Sequence, residues 1–386
     1  MTQSRDETAL ASAFLKALAP GGSVERLSPR IGPALAARPL PRGVDLAALL
    51  RRLEADTPLT PAEAEALVAD LVPACRPARS IAAGRPLPDD AVPDESARRW
   101  LDRARSATGL LHLSGSAVAG TCVLVGPDLV MTTRHQATEL CTGLGIRRIG
   151  LQPQVDARVQ FAATEALPAC TVAVRRAVLV HPYWDVALLA VEPTGRAPIP
   201  LACAPRGSGR DVALIGYPAF APSHSYVAQF AAFGAATPAM HVSSGRLTGR
   251  AGICSHERIV PALAHDALPL GGWAGSALVD LQDGGLVGLQ FATHAFERSY
   301  AVPASALARD ARIVAAGVCL DGPAPGSDTE LEQAWRCVEP VGAEPAHPLE
   351  GAEAAHLPPG LRGVLGGGGE DGTLCRDVRP ADDFLD

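Results

Sequence analysis

Between residues 108 and 318 the chain is a succession of short runs rich in β-branched and other apolar residues: GLLHL, TCVLV, DLVMTT, TVAVRRAVLV, VALLAV, DVALIG, SYVAQF, SALVDL and GLVGLQF. Turn formers separate them, among them Gly126-Pro127-Asp128 and Asp283-Gly284-Gly285. Many short strands at close, regular spacing predict an all-β barrel or sandwich, and this region is long enough for two barrels.

The flanks read differently. Over residues 1–75 the apolar positions follow a helical period: Leu10, Phe14 and Leu18, then Leu46, Leu49, Leu50 and Leu53 behind a capping Asp45. Thr60-Pro61-Ala62-Glu63 is a capping box with Pro at the first helical position, and Leu67, Val68 and Leu71 carry the next apolar face. These helices can bury one another's stripes as a small adaptor-like domain, which holds no catalytic grouping and suits recruitment of a partner protein. Residues 76–107 read as a linker ending in a short lead-in helix around Trp100 and Leu101. From 319 to 386 the chain is a Gly/Pro-rich acidic tail, with one possible helix near DTELEQAWRCV; LGGGGEDG lacks the Gly-Lys-Ser/Thr ending of a phosphate loop.

Composition removes several function classes. The net charge of -7 argues against a nucleic-acid surface, which needs clustered Lys and Arg; the pair Arg175-Arg176 reads as a solvated face. No apolar stretch approaches the roughly 18 residues of a membrane helix. Arg5, Asp6, Glu7 and Lys16 interrupt any secretory leader, so a cytoplasmic protein is expected. Nine cysteines without a Cys-x-x-Cys pair suit reduced thiols, and the irregular spacing of Cys337, His347, His356 and Cys375 argues against a metal site. No cofactor is expected.

Three segments carry possible chemistry. GTCVLVGPDLVMTTRHQATEL ends a strand on His135, HPYWDVALLAVE sets Asp185 just before a buried strand, and LGGWAGSALVD forms a Gly-rich turn. Singly, each has a plain explanation: a hydrogen-bonded structural histidine, a turn-forming aspartate, a hairpin. In this order and at these separations they resemble the trypsin-like (chymotrypsin-fold) serine peptidases, especially the bacterial branch that includes the glutamyl endopeptidases. Residues 120–135 resemble the family's His segment with Cys122 in place of its second Gly, DVALL its Asp strand, GYP at 216–218 a recurrent turn, and LGGWAGSALVD its nucleophile turn.

The resemblance implies two six-stranded β-barrels after the helical domain, and a serine endopeptidase acting on a protein or peptide substrate. A serine hydroxyl would attack the carbonyl, His135 would take and return its proton, and Asp185 would orient the imidazole and stabilise its charge. The backbone N–H groups of Gly272 and Ala274 would form the oxyanion hole. The chain departs from the family where it matters most, because Ala274 stands on the nucleophile position. Ser276 lies two residues further along, on a strand leaving the turn, and is not expected to substitute for it. Ala274 has two readings: a natural pseudopeptidase that binds without cutting, or a Ser→Ala change that traps substrate or prevents self-cleavage. The otherwise complete apparatus favours the second, and Trp273, where the family has Asn or Asp, favours the first.

By the same resemblance the substrate side chain would meet Leu268, Pro269 and the stretch Gln290, Phe291, Ala292 and Thr293. No acid is present to pair with Arg or Lys, and Gln290 stands where glutamyl endopeptidases have His, so an apolar or small side chain is expected. His265, Asp266 and His181 are expected to be structural. A bacterial regulatory or defence role is suggested by domain arrangement alone.

Overall fold

The computed structural model describes residues 79–81, 94–113, 119–218, 239–267, 272–294 and 298–339. The helices expected over residues 1–75, the run at 225–230 and the tail beyond 339 lie outside the described residues.

Six antiparallel strands close the first barrel in the order β2-β3-β4-β9-β8-β7: β2 (Thr108–Leu113), β3 (Ala119–Gly126), β4 (Leu129–Thr132), β7 (Ala157–Phe161), β8 (Cys170–Val180) and β9 (Ala187–Val191). On β7 the alternation is clean: Ala157, Val159 and Phe161 are buried while Arg158 and Gln160 are exposed, as a half-buried strand requires. Cys122, Val123, Leu124 and Val125 of β3 are all fully buried, because their outer face is covered too. Between β4 and β7, β5 (Cys141–Gly143) and β6 (Ile149–Leu151) form a two-stranded flap.

The second sheet runs β1-β11-β10-β13-β14-β15-β12, and an added β11–β12 pairing turns six of these strands into a ring. Its members are β10 (Asp211–Gly216), β11 (Met240–Ser255), β12 (Arg258–His265), β13 (Ala277–Asp280), β14 (Leu286–His294) and β15 (Arg298–Pro303). The long β11 makes the closure possible: its first half pairs with β10 and its second half with β12. The strand β1 (Arg79–Ile81) adds to the start of β11, so part of the stretch read as linker is sheet.

The lead-in helix is α1 (Glu95–Ala107), capped by the Asp94 side chain, which accepts from Ala97 N at 2.8 Å. Its buried stripe of Ala97, Leu101, Ala104 and Ala107 faces the core. A short α2 (Arg134–Ala137) follows β4; after β15 come α3 (Ala304–Leu307), α4 (Ala311–Ala315) and α5 (Thr329–Val338), the last on the sequence DTELEQAWRCV. Among the described residues no helix is long and apolar enough to cross a membrane. Arg175 and Arg176 are exposed, and Arg175 pairs with Glu192.

Candidate active site

Strand pairing brings two of the singled-out residues together. Antiparallel β4 and β9 align Thr132 with Ala187. His135 follows the end of β4 and Asp185 precedes the start of β9, so both emerge at the same end of that pair. Asp185 Oδ1 accepts from His135 N at 2.9 Å, and Oδ2 faces His135 Nδ1 at 2.6 Å. An ionised carboxylate only accepts, so Nδ1 carries the proton and Nε2 is left as the basic nitrogen.

Environment sets the charges. Burial opposes ionisation of Asp185, yet the facing His135, its hydrogen bond and a further bond from His256 outweigh that and hold the carboxyl well below the usual carboxylate range. Burial likewise opposes protonation of His135, but the Asp185 charge and hydrogen bond prevail and raise the imidazole above its ordinary value. The ring sits among close neighbours while 44% of the side chain stays open to solvent, so one edge can meet a reactant. Arg134 lies buried beside this pair, its guanidinium donating to the His181 and Pro182 carbonyls.

The Gly-rich turn meets the first barrel at the residue next to His135, where Gln136 Nε2 donates to the Ala274 carbonyl. Gly272 and Gly275 have φ of 89° and 81°, the left-handed region in which glycine alone is unstrained. A Cβ at Gly275 would lie 2.0 Å from the Thr121 carbonyl oxygen, so the close approach of the two barrels itself requires glycine there. Ser276 N donates to the Trp273 carbonyl at 3.1 Å, Gly275 N to the Gln290 carbonyl at 2.8 Å, and Gln290 N to the Ser276 carbonyl at 3.0 Å. These bonds lock the turn onto β14. Among the described residues no hydrogen bond occupies the N–H of Gly272 or of Ala274. Two free backbone donors on a rigid turn suit a developing oxyanion.

Ser276 is fully buried, and a Cβ at Gly216 would lie 1.9 Å from its hydroxyl oxygen. Its side chain is packed into the interior, which accounts physically for the expectation that it does not replace the residue at 274. Trp273 is buried in an apolar cluster with Val212, Leu214, Leu247, Leu263 and Leu278. Of the residues assigned to a substrate pocket, Gln290 and Phe291 are buried, Ala292 and Thr293 are half-buried, and Leu268 and Pro269 lie outside the described residues. Gln290 accepts from His265 Nε2 at 2.7 Å and donates to the Ala292 carbonyl and to Thr293 Oγ1. Its amide is therefore fully engaged.

His181 is fully buried. Its Nδ1 accepts from Tyr183 N and Trp184 N at 2.9 Å each, which leaves the proton on Nε2 to donate to Asp310 Oδ2 at 3.0 Å. Trp335 Nε1 of α5 donates to the same oxygen at 2.6 Å, and Asp310 Oδ1 caps α4 through Arg312 N at 2.7 Å. At the C-cap of α5, Glu339 Oε1 accepts from Ile146 N and Arg147 N at 2.5 and 2.7 Å. The loop that carries Asp185 is thus held from the C-terminal side of the chain.

Two residues near the site carry no signal in the three sequence motifs. Gln136, next to His135, donates from Nε2 to the Ala274 carbonyl at 3.0 Å, a bond across the barrel seam. His256, in the turn between β11 and β12, places Nε2 3.2 Å from Asp185 Oδ1. No spacing rule links either to its partner; only the meeting of the two sheets brings them together. Among the described residues no group of three His, Cys, Asp or Glu could hold a metal ion, and His347, His356 and Cys375 lie outside them.

Residues 120–289 match the family described as "Trypsin-like peptidase domain". No curated protein matches the chain. Among solved structures, the crystal structure of Deg5 is 16% identical with a TM-score of 0.41, covering 58% of this chain and 95% of that one. The active form of the Rv3671c protease from M. tuberculosis is 18% identical with a TM-score of 0.41, covering 64% and 97%. The protease domain of MamO from Magnetospirillum magneticum, in its apo form, is 20% identical with a TM-score of 0.37, covering 53% and 95%.

Proposed function

We propose that residues 108–318 form the catalytic framework of a serine endopeptidase, with His135 as general base, Asp185 as its orienter and the N–H groups of Gly272 and Ala274 as the oxyanion hole. The observation that carries this reading is the bond from His135 Nδ1 to Asp185 Oδ2 at 2.6 Å, with the basic Nε2 left over and a rigid glycine turn across the seam. The residue at 274 has no attacking atom. What remains is the catalysis that binding and an oxyanion hole supply, about a thousand- to ten-thousandfold over water. The chain is inactive as a peptidase in this form.

The substrate is a protein or peptide, with an apolar or small residue before the scissile bond. The engagement of the Gln290 amide supports this, since that side chain has no donor left over to pair with an acidic substrate residue. A second reading, a natural module that binds peptides without cutting them, draws support from Trp273, whose packing into the core joins the turn to the second ring. We place the protein in the cytoplasm, with residues 1–75 as an adaptor for a partner protein.

Restoring the hydroxyl separates the two readings. The Ala274→Ser protein is expected to react with a serine-directed fluorophosphonate, and labelling is expected to disappear in Ala274→Ser/His135→Ala. A folded Ala274→Ser protein that does not label would leave only the binding module. Cleavage of a peptide library mainly after Arg, Lys or Glu would overturn the substrate preference.

A further inference from the structure

The β11–β12 hairpin ends in a two-residue turn, His256-Glu257, closed by the pairing of Ser255 with Arg258. Both turn residues have positive φ, 47° at His256 and 67° at Glu257, an arrangement that Asn-Gly normally fills. A left-handed backbone at a residue with a Cβ is costly, and two in succession persist only where the surroundings impose them. Here the surroundings belong to the other barrel. His256 Nε2 lies 3.2 Å from Asp185 Oδ1, and the Arg258 guanidinium stacks 5.3 Å from the centre of the Tyr183 ring, two residues before Asp185. The hairpin tip is clamped onto the Asp185 loop at two points.

We propose that His256 is a positioning residue for the catalytic pair, a second imidazole that donates to Asp185 and holds its carboxylate plane toward His135; this rests on the peptidase reading above. The carboxylate only accepts, so His256 Nε2 carries a proton at that contact. Asp185 Oδ1 then receives two donors, His135 N and His256 Nε2, while Oδ2 is left to His135 Nδ1. Two bonds to one oxygen prevent rotation of the carboxylate, and the third bond keeps its line. Arg134 from α2 lies within electrostatic reach of Asp185 and of Glu257 and Arg258 in the hairpin. The Asp185 side chain is 5% exposed, so no solvent shell can take over the bond if His256 is removed.

The test uses the full chain as it stands. His256→Gly removes the donor and relaxes the left-handed turn, so the melting temperature is expected to hold or rise. Hydrogen exchange at the His135 amide, whose acceptor is Asp185 Oδ1, is expected to speed up roughly tenfold, the scale of one hydrogen bond to a charged group. Exchange at the His181 amide, which donates to the Val186 carbonyl, is the control and is expected to stay unchanged. His256→Gln keeps an N–H donor and is expected to restore protection at His135. In an Ala274→Ser background the Gly variant is expected to lose kcat about tenfold with KM unchanged. Unchanged His135 exchange in His256→Gly overturns the proposal, and so does an equal loss in His256→Gln, which would assign the effect to shape and not to the donor. If every Ala274→Ser protein is inert, the peptidase reading fails while the exchange measurement still decides the role of His256.

Discussion

Gln136 Nε2 donates to the Ala274 carbonyl at 3.0 Å, so the residue beside the imidazole is bonded to the residue at the turn's apex. The same amide accepts from Thr132 Oγ1 at 2.7 Å, and its side chain fills the space that a Cβ at Gly120 would occupy. One side chain thereby registers the two barrels at the point where their chemistry has to meet. Replacing it with alanine is expected to cost about 1–2 kcal/mol in urea unfolding. In an Ala274→Ser background kcat is expected to fall more than KM rises; an unchanged unfolding midpoint would show that the seam does not depend on this bond.

Gly275→Ala tests the seam from the other side. The new methyl would be forced toward the Thr121 carbonyl, and the backbone at φ 81° disfavours any side chain. Destabilisation of more than about 2 kcal/mol is expected. Gly195 also has positive φ but open space around it, so Gly195→Ala is expected to cost only its backbone strain, about 1 kcal/mol. Equal losses at the two positions would contradict the steric account.

The buried trio His181, Asp310 and Trp335 predicts unequal losses. Asp310→Asn puts an amide where two donors need an acceptor and is expected to cost about 3 kcal/mol. Trp335→Phe removes one donor and keeps the apolar ring, for about 1–2 kcal/mol. Chemical denaturation of the two variants side by side checks the order, which a purely apolar role for Trp335 would level.

Acid should weaken the fold before its carboxylates titrate. Burial is the largest influence on His265, and it pulls the imidazole from 6.5 down to about 4; His181 is displaced in the same direction by the same cause. Between those pH values the unfolded chain binds a proton at His265 that the folded chain refuses. Stability from this residue is therefore fully present above pH 6.5 and lost as the pH falls toward 4, at up to about 1.4 kcal/mol per pH unit. His265→Gln, which can still donate to Gln290, is expected to flatten that slope in urea titrations. An identical slope in the variant would exclude His265 as its source.

Much of the first barrel could be read from the chain because its strands are short, alternate or fully apolar, and end in Gly, Pro or Asp. His135 and Asp185 could be read only through the order and separation they share with the trypsin-like peptidases, since a histidine or an aspartate at a strand end has a plain structural explanation on its own. Gln136 and His256 could not, since one is a polar residue in a four-residue helix and the other lies in a hairpin whose Asn-Gly signal is missing. What makes them relevant is the meeting of the two sheets, a long-range event without local periodicity. The strand β1 was hidden for a similar reason, being three residues between Pro-rich stretches that gain order only from β11. Trp273 looked anomalous in the turn, and its burial among the ring's apolar side chains explains its size.

The helix α5 lies beyond the last barrel strand, yet its Trp335 and Glu339 reach back to Asp310 and to the backbone at Ile146 and Arg147. A recombinant fragment cut just after residue 318 would keep Asp310 on His181 yet lose the Trp335 donor that holds Asp310 from behind. The smallest piece that keeps every described contact behind the Asp185 loop therefore extends through α5, and the acidic tail has to be counted as beginning only after that helix.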